Sequence, residues 1–308
     1  MFSGYPFRYA AALSCPWVSC GIIGSPRGQV NRSKMMPSSA NLDTLFTTLV
    51  LAGDRGPNDP VAQATGAPCK ALAPVGGKPM LLRILETLEA SPSVGELVLS
   101  GPARTALSAS RELQSGIDAA RWRWREPCAS PSESARDALG SIDPGLPVLL
   151  TTGDHALLSP QIVEYFCAGA RDANADLAVG MVLYDDVMAA FPGMRRTGLR
   201  FRDANYCGCN LFAFMSPDAR RAADFWRRIE QDRKKPWRMI GVLGWYALLR
   251  YASGRLTLDE ALELLSKRIG VTIARVMLPY PQAAVDVDKP SDWEFVERLV
   301  RDEAETSG

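Results

Sequence analysis

Residues 45–57 read LFTTLVLAGDRGP, a run rich in Leu, Val and Thr that ends in glycine, charge and proline. The run predicts a buried β-strand over residues 45–52, and Gly53 predicts the turn that ends it. A run with so little alternation of apolar and polar residues is typical of a parallel strand, because helices cover both faces of a parallel sheet. Open α/β sheets bind ligands beyond the carboxyl ends of such strands, so this stretch also predicts a ligand site.

Strands and helices continue to alternate along the rest of the chain. Largely apolar runs predict further strands at residues 96–100, 147–152, 176–184, 198–201, 208–215 and 271–277, and the alternation of Arg and Trp predicts one at residues 121–125. Helical spacing of apolar residues predicts helices at residues 79–90, 105–117, 132–139, 160–169, 218–231, 237–251, 258–267 and 291–301. This order predicts an α/β fold, a three-layer sandwich around a mainly parallel mixed sheet.

The chain is expected to hold one domain between two terminal segments. Residues 1–42 are rich in Gly, Ser and Pro, and they indicate either a disordered extension or a start assigned too early, with Met35 or Met36 as the true start. A secretory signal is disfavoured there, because proline and glycine interrupt the apolar run. Residues 43–303 are expected to form a single domain, and residues 304–308 a tail.

The composition is that of an ordinary globular protein. Of 308 residues, 47% are hydrophobic and 22% charged, and 35 Lys and Arg against 34 Asp and Glu give a net charge of +1. A chain so close to neutral lacks the broad basic field that coats nucleic acid, so no nucleic-acid partner is expected. No run approaches the ~20 apolar residues of a membrane span, so no transmembrane segment is expected.

Histidine and cysteine narrow the chemistry further. His155 is the only histidine, which excludes a multi-histidine metal site and leaves most of the chemistry to carboxylates and lysines. The seven cysteines are odd in number and lack zinc-ligand spacing, which favours a reducing, cytoplasmic compartment. Cys207 and Cys209 would point to the same side of a strand, as two small core residues.

The first candidate group for the chemistry surrounds the end of the first strand. Leu51, Ala52 and Gly53 offer backbone N–H groups, and Lys70 returns a positive charge, which together suit a triphosphate. A lysine in a loop can also be a solvated surface residue, but Lys70 lies in an apolar stretch, which favours the site. Lys78 ranks lower, because it precedes a helix-starting proline as an exposed turn residue.

The second and third groups are carboxylates. Asp154 follows the strand at residues 147–152, where a cation that bridges phosphates needs an oxygen ligand; its alternative role is a helix cap. Asp286 and Asp288 precede the last helix and could return a second carboxylate to the same metal. Asp286 is preferred as the ligand, because Asp288 is nearer the helix that it could cap.

Taken in order, these motifs resemble the MobA-like nucleotidyltransferases. The resemblance runs from about residue 45 to residue 300 and depends on Leu-Ala-Gly at 51–53, Lys-Ala-Leu at 70–72, Gly-Lys-Pro-Met at 77–80, Thr-Gly-Asp at 152–154, Asn-Leu-Phe at 210–212 and Val-Asp-Val-Asp-Lys-Pro at 285–290. The superfamily includes molybdenum cofactor guanylyltransferase and the sugar-phosphate nucleotidylyltransferases. The resemblance implies their nucleotide-diphospho-sugar transferase fold, with a sheet of the GT-A-like Rossmann type.

The resemblance also implies a reaction. A nucleoside monophosphate would pass from a nucleoside triphosphate to a small phosphorylated or carboxylated acceptor, with release of pyrophosphate. Such a transfer needs in-line positioning and charge neutralisation more than a proton-shuttling histidine.

Site residues follow from the same resemblance. The implied nucleotide contacts are Leu51, Ala52, Gly53, Arg55, Lys70 and Ser132. Lys70 and Asp154 would be catalytic, and Asn210 would face the acceptor. Asp154 and Asp286 would bind Mg²⁺. Family members commonly have a second glycine and an arginine soon after Leu-Ala-Gly; here the loop is long, and Arg55 would stand in for that arginine. Residues 127–134 would contact the base but show no pattern that selects one.

Other interpretations stay open. A glycosyltransferase of the same fold would favour an Asp-x-Asp in mid-chain, where this chain has only Asp154. A non-catalytic nucleotide-binding regulatory protein would keep the sheet with an altered loop. The basic cluster at residues 233–238 is interpreted as a solvated turn, with a grip on an anionic acceptor or a weak membrane-surface contact as the alternative. The sequence also leaves open whether the chain forms a homo-oligomer.

Overall fold

The computed structural model describes residues 44–53, 58–194, 196–232 and 244–306. Residues 1–42, Arg55 and the basic cluster at residues 233–238, on which predictions were made, lie outside the described residues. In the described ranges, no helix has the length and apolar character needed to cross a membrane.

Among the described residues, eight strands form the sheet at the centre of the fold, and two more form a small hairpin. In chain order the strands are β1 (Phe46–Leu51), β2 (Pro74–Val75), β3 (Lys78–Pro79), β4 (Val94–Ser100), β5 (Trp122–Arg125), β6 (Val148–Thr152), β7 (Leu177–Leu183), β8 (Leu199–Arg200), β9 (Asn205–Phe214) and β10 (Ile273–Met277). The large sheet has the order β10-β7-β9-β6-β1-β4-β5, with β8 paired to the start of β9, while β2 and β3 pair apart. The three pairings of β9 are antiparallel and the other described pairings of this sheet are parallel, which confirms the predicted mainly parallel mixed sheet.

Helices cover both faces of the large sheet. They are α1 (Pro60–Thr65), α2 (Met80–Glu89), α3 (Arg104–Leu107), α4 (Arg111–Asp118), α5 (Pro131–Gly140), α6 (Pro160–Asp172), α7 (Tyr184–Ala190), α8 (Arg221–Asp232), α9 (Trp245–Ala252), α10 (Leu258–Ile269) and α11 (Pro290–Thr306). Neighbouring residues of β1 face opposite sides, so Val50 packs in one core with α2 and α6, and Leu49 in a second core with α5 and α8. Cys207 and Cys209 are buried in the first of these cores. Two cores on opposite faces make a three-layer sandwich.

The helices depart from the prediction in five places. Gly244, at φ 87°, interrupts the predicted helix at residues 237–251, so α9 begins at Trp245, and α11 continues to Thr306, into the predicted tail. The predicted helix at residues 105–117 is two helices, because the Ser110 side chain accepts the Leu113 N–H and caps α4. Helix α1 lies in a stretch expected to be loop, and it begins where the buried Asp59 carboxylate accepts the Val61 N–H at 2.9 Å. Helix α7 was not predicted, because it follows β7 without a connecting loop.

The strand order creates a switch point beside β1. The chain passes from β1 through α2 to β4 on one side, and later returns through α5 to β6 on the other. Leu51 pairs with both Ser100 of β4 and Thr152 of β6, so the three carboxyl ends are level. Gly153 then approaches β1 so closely that a Cβ there would lie 2.8 Å from the Ala52 Cβ. The loops after β1 and β6 therefore meet where open α/β sheets bind ligands.

We expect Gly116→Ala in α4 to destabilise the fold. A Cβ at Gly116 would lie 2.6 Å from Cη2 of the buried Trp122. Overpacking of this kind costs about 1–3 kcal/mol, whereas Ala gains only about 1 kcal/mol over Gly in a helix. Gly140→Ala in α5 is the matched control, since nothing lies within 4 Å of its Cβ position. Urea denaturation should show a lower free energy of unfolding for Gly116→Ala alone, and equal stability of the two variants would contradict the packing argument.

Candidate active site

The turn that carries the candidate lysine is connected to the last helix. Lys70–Leu72 forms a short 3-10 turn, and the β2–β3 hairpin follows it. Helix α11 fixes this hairpin at two points. The indole N–H of Trp293 donates to the Pro74 carbonyl at 2.6 Å, and the Gly76 N–H donates to the Glu297 carboxylate at 2.7 Å. These two hydrogen bonds therefore hold the hairpin that follows the Lys70 turn against α11.

Lys70 lies between two carboxylates. Its ammonium donates to Oδ2 of Asp154 at 2.6 Å and to Oδ1 of Asp288 at 3.3 Å. All three side chains are largely enclosed, with exposed fractions of 17%, 7% and 13% in that order. Burial on its own would lower the pKa of Lys70, but attraction to the two carboxylates raises it well above its usual value. Lys70, Asp154 and Asp288 are called the Lys70 cluster below, and its lysine is a constant positive charge.

Asp154 is fixed in the loop that follows β6. The Thr152 hydroxyl donates to its Oδ1 at 2.5 Å, and the Val287 N–H donates to its main-chain carbonyl at 3.0 Å. Burial would raise the pKa of Asp154, but Lys70 and Thr152 lower it below its ordinary range. Burial raises the pKa of Asp288, and repulsion from Asp154 adds to the rise against the pull of Lys70. Asp154 is therefore the more firmly ionised of the two.

Asp286 belongs to a second group of contacts. Its Oδ1 forms an ion pair with Arg196, and its Oδ2 accepts from Nδ2 of Asn210 at 3.4 Å. Arg196 also donates to the Ala284 carbonyl. Asp286, Asn210 and Arg196 are called the Asp286 cluster below. The charge of Asp154 favours the charged form of Arg196, so the two clusters interact electrostatically.

Asn210 owes its position to a bulge in β9. Phe212 of β9 pairs with Val179 of β7, and Gly208 pairs with Met181. Four residues of β9 therefore span the same length as two residues of β7. Asn210 lies within this bulge at φ 51°, a left-handed conformation that Asn adopts more readily than most residues. The bulge, and not regular strand geometry, therefore places the Asn210 amide beside Asp286.

Three of the predicted nucleotide residues lie at the end of β1. Leu51 and Ala52 are buried, and Gly53 is exposed. A Cβ at Gly53 would lie 3.4 Å from the Pro127 Cβ, so this backbone faces the segment predicted to contact the base. The end of β1 thus presents main chain at the switch point, which suits contacts to a phosphate.

Ser132 and Lys78 already have partners in the structure. Ser132 is buried near the start of α5, where its N–H donates to the Glu230 carboxylate at 3.3 Å and its hydroxyl lies 3.2 Å from that of Ser130. Lys78 forms a surface ion pair with Glu86 at 3.0 Å. The role of Ser132 in nucleotide binding stays a prediction.

The oxygen donors present fit Mg²⁺ that arrives with a triphosphate. Among the described residues, no group of three or more His, Cys, Asp or Glu side chains could hold a metal ion. Mg²⁺ in nucleotide enzymes usually takes one or two protein carboxylates and completes its shell with phosphate oxygens and water. Asp154 and Asp288 already hold a cation between them, the Lys70 ammonium. The predicted pair, Asp154 and Asp286, is divided between the two clusters.

His155 is a buried residue beside Asp154. Its Nδ1 lies 3.4 Å from Oγ1 of Thr151, and burial lowers its pKa to about 4. The imidazole is therefore neutral at pH 7. Within the described ranges, the charges of the site come from its carboxylates, Lys70 and Arg196.

The sequence does not indicate Arg196, and it ranks Asp288 second as a metal ligand. That ranking assumes that Asp288 caps the last helix, whereas the carboxylate that accepts backbone N–H groups there is Asp292. The Asp288 side chain is left to contact Lys70. The sequence signal that favours Asp292 as the cap is its position in the first turn of the helix. Arg196 lies in a loop without periodicity, and no pattern in the sequence points to it.

Comparison with known proteins adds a family to this geometry. Residues 48–200 match the model of the MobA-like NTP transferase domain. A structure described as a hypothetical transferase from Thermus thermophilus is 26% identical, and the match covers 81% of this chain and 100% of that one at a TM-score of 0.66. No curated protein matches the chain.

Two further structures share the fold at lower identity. A CMP:2-keto-3-deoxy-manno-octonic acid synthetase complexed with CTP is 16% identical, with 84% of this chain and 100% of that chain covered at a TM-score of 0.51. A 4-diphosphocytidyl-2C-methyl-D-erythritol synthase from Anaerococcus prevotii is 13% identical, with 83% and 99% covered at a TM-score of 0.50.

The family match includes the end of β1, the Lys70 turn and Asp154, while Asn210, Asp286 and Asp288 lie beyond it. The folds of these two lower-identity structures agree with the sheet described above. The chain therefore contains a MobA-like NTP transferase domain, which the family model places at residues 48–200.

Proposed function

We propose that the chain is a Mg²⁺-dependent nucleotidyltransferase. An acceptor oxygen attacks the α-phosphorus of a nucleoside triphosphate, a new P–O bond forms to the acceptor, and the bond to the leaving pyrophosphate breaks. The acceptor is a small phosphorylated or carboxylated molecule. The observation that carries the proposal is the Lys70 cluster at the switch point of an NTP transferase domain.

On the nucleotide side, the protein supplies charge and backbone donors. The main chain at the end of β1, from Leu51 to Gly53, would contact the phosphates, with the Gly53 N–H as the donor, because the Ala52 N–H already donates to the Ser100 carbonyl at 2.8 Å. Arg55 and Ser132 would add contacts. Lys70 would bind the same phosphates, because its charge is constant and its turn is fixed before a ligand arrives. Such preorganised charge is what a phosphoryl-transfer site needs.

On the metal side, the carboxylates supply oxygen ligands. Asp154 would hold Mg²⁺ together with Asp286, and Asp288 is a further oxygen donor beside Asp154. Bound there, Mg²⁺ would neutralise and orient the triphosphate. Thr152 orients the Asp154 carboxylate and favours its ionised form, which is the form that binds a cation.

On the acceptor side, Asn210 would contact the acceptor from the bulge in β9. The name of one structural neighbour contains CMP and an octonic acid, and that structure is complexed with CTP. This similarity supports CTP as the first nucleotide to test and a carboxylic acid among the first acceptors.

We expect a nucleoside triphosphate with Mg²⁺ to raise the melting temperature, and Lys70→Gln to reduce that rise. A ligand at 100 times its Kd adds about 2.7 kcal/mol to the free energy of unfolding. The measurement is a thermal-shift screen of CTP, GTP, ATP, UTP and dTTP with and without Mg²⁺. Lys78→Gln is the matched control, because Lys78 forms only an exposed ion pair among the described residues. The quantity to compare is the ligand-induced shift, since loss of Lys70 changes the unliganded stability as well.

The outcomes of this screen separate the candidate functions. A shift with nucleotide sugars and not with triphosphates would favour a glycosyltransferase. A triphosphate shift without pyrophosphate release against any acceptor would favour a regulatory protein. An undiminished shift in Lys70→Gln would remove Lys70 from the phosphate site.

Asp154→Asn should lower the rate of pyrophosphate release about 100-fold or more, because it removes a charge and keeps the shape of the side chain. The assay follows pyrophosphate with the best-binding nucleotide and a panel of phosphorylated and carboxylated acceptors. Asp218→Asn, an exposed residue paired with Arg221, is the control and should retain the rate. Substantial turnover by Asp154→Asn would exclude the proposed role of Asp154.

A further inference from the structure

Arg196 belongs to the half of the site that contains Asn210. It precedes β8, and β8 pairs with the first residues of β9. Arg196 and Asn210 contact different oxygens of the same Asp286 carboxylate. The group proposed to bind the triphosphate, Lys70, bonds instead to Asp154 in the other cluster. Arg196 is therefore placed on the acceptor side of the proposed reaction.

The guanidinium of Arg196 is enclosed and has an unused donor. Its contacts to Asp286 and to the Ala284 carbonyl are both made by Nη2. Its Nε is buried, and the described part of the chain offers it no hydrogen-bond partner. A buried donor without a partner is costly and requires an explanation. The Arg196 side chain as a whole remains 14% exposed, so part of it faces solvent.

Charge balance alone does not explain an arginine at this position. Burial lowers the pKa of Arg196, although Asp292, Asp288 and Asp154 favour its charged form. A lysine would balance the same carboxylates without burying an unpaired Nε. An arginine adds a planar fork of donors, which matches two oxygens of one carboxylate or phosphate.

We propose that Arg196 binds the anionic group of the acceptor, a phosphate or a carboxylate, through the guanidinium donors that Asp286 and Ala284 do not occupy. The inference rests on the proposed function, which makes the Asn210 half of the site the acceptor side. The carboxylates of both clusters repel an anion, so an acid group needs a local cation to enter. An acceptor without an acid group would leave the Arg196 Nε unpaired, and the site would discriminate against it.

The test compares Arg196→Lys with Arg200→Lys, the same substitution at an exposed arginine of β8. Calorimetric titration measures the affinity of two probes, inorganic phosphate and acetate, for the full chain with Mg²⁺. Each titration is run with and without the nucleotide that gives the largest thermal shift. We expect at least one probe to bind the wild type and Arg200→Lys equally, and to bind Arg196→Lys about tenfold more weakly or worse. The probe that binds better identifies the acid group as phosphate or carboxylate.

Equal affinity of Arg196→Lys and the wild type overturns the proposal, as does a wild type that binds neither probe under either condition. Should Arg196→Lys fail to fold, Arg196→Ala is titrated with added methylguanidinium. Probe binding restored by methylguanidinium and not by methylammonium supports the proposal, and no restoration overturns it. Failure of the proposed function has a different signature: no triphosphate binds, while probe binding still depends on Arg196.

Discussion

The contact of one ammonium with two carboxylates, Lys70 with Asp154 and Asp288, is the interaction on which the rest of the site depends. Two enclosed carboxylates repel each other, and removal of the cation between them would leave charge uncompensated, at a cost of about 3–5 kcal/mol for a buried pair. The three charged groups must therefore stay in contact. The hairpin contacts of α11 and the main-chain bond from Val287 to Asp154 hold them there.

One irregular segment before α11 serves both halves of the site. Asp286 contacts Arg196 and Asn210, and Asp288, two residues later, contacts Lys70. The two carboxylates thus contact different cations, and Asp288 shares Lys70 with Asp154. A displacement of this segment would alter the charge balance of the Lys70 cluster and of the Asp286 cluster together, because both clusters take a carboxylate from it.

Much of this arrangement could be predicted from sequence because it depends on local patterns. The apolar runs predict the strands, and the position of Asp154 after a buried strand places it at the carboxyl edge of the sheet. The remaining contacts of the site depend on side-chain orientations that no periodic sequence pattern predicts. Asp288 faces Lys70 because Asp292 accepts the backbone N–H groups at the start of α11. Arg196 and the bulge at Asn210 belong to irregular backbone, where sequence spacing does not define a face.

The members of the Lys70 cluster lie far apart in the sequence, and this separation affects how the site forms during biosynthesis. Lys70 and Asp154 are 84 residues apart, whereas Lys70 and Asp288 are 218 apart. Contacts of such sequence separation form only after a large loop closes, so they are late events in folding. A nascent chain can assemble β1, β4 and β6 while it is still attached to the ribosome. It cannot complete the candidate site until the segment at residues 286–288 has left the exit tunnel. An unfinished chain would therefore contain these strands without the carboxylates that balance Lys70 and Arg196.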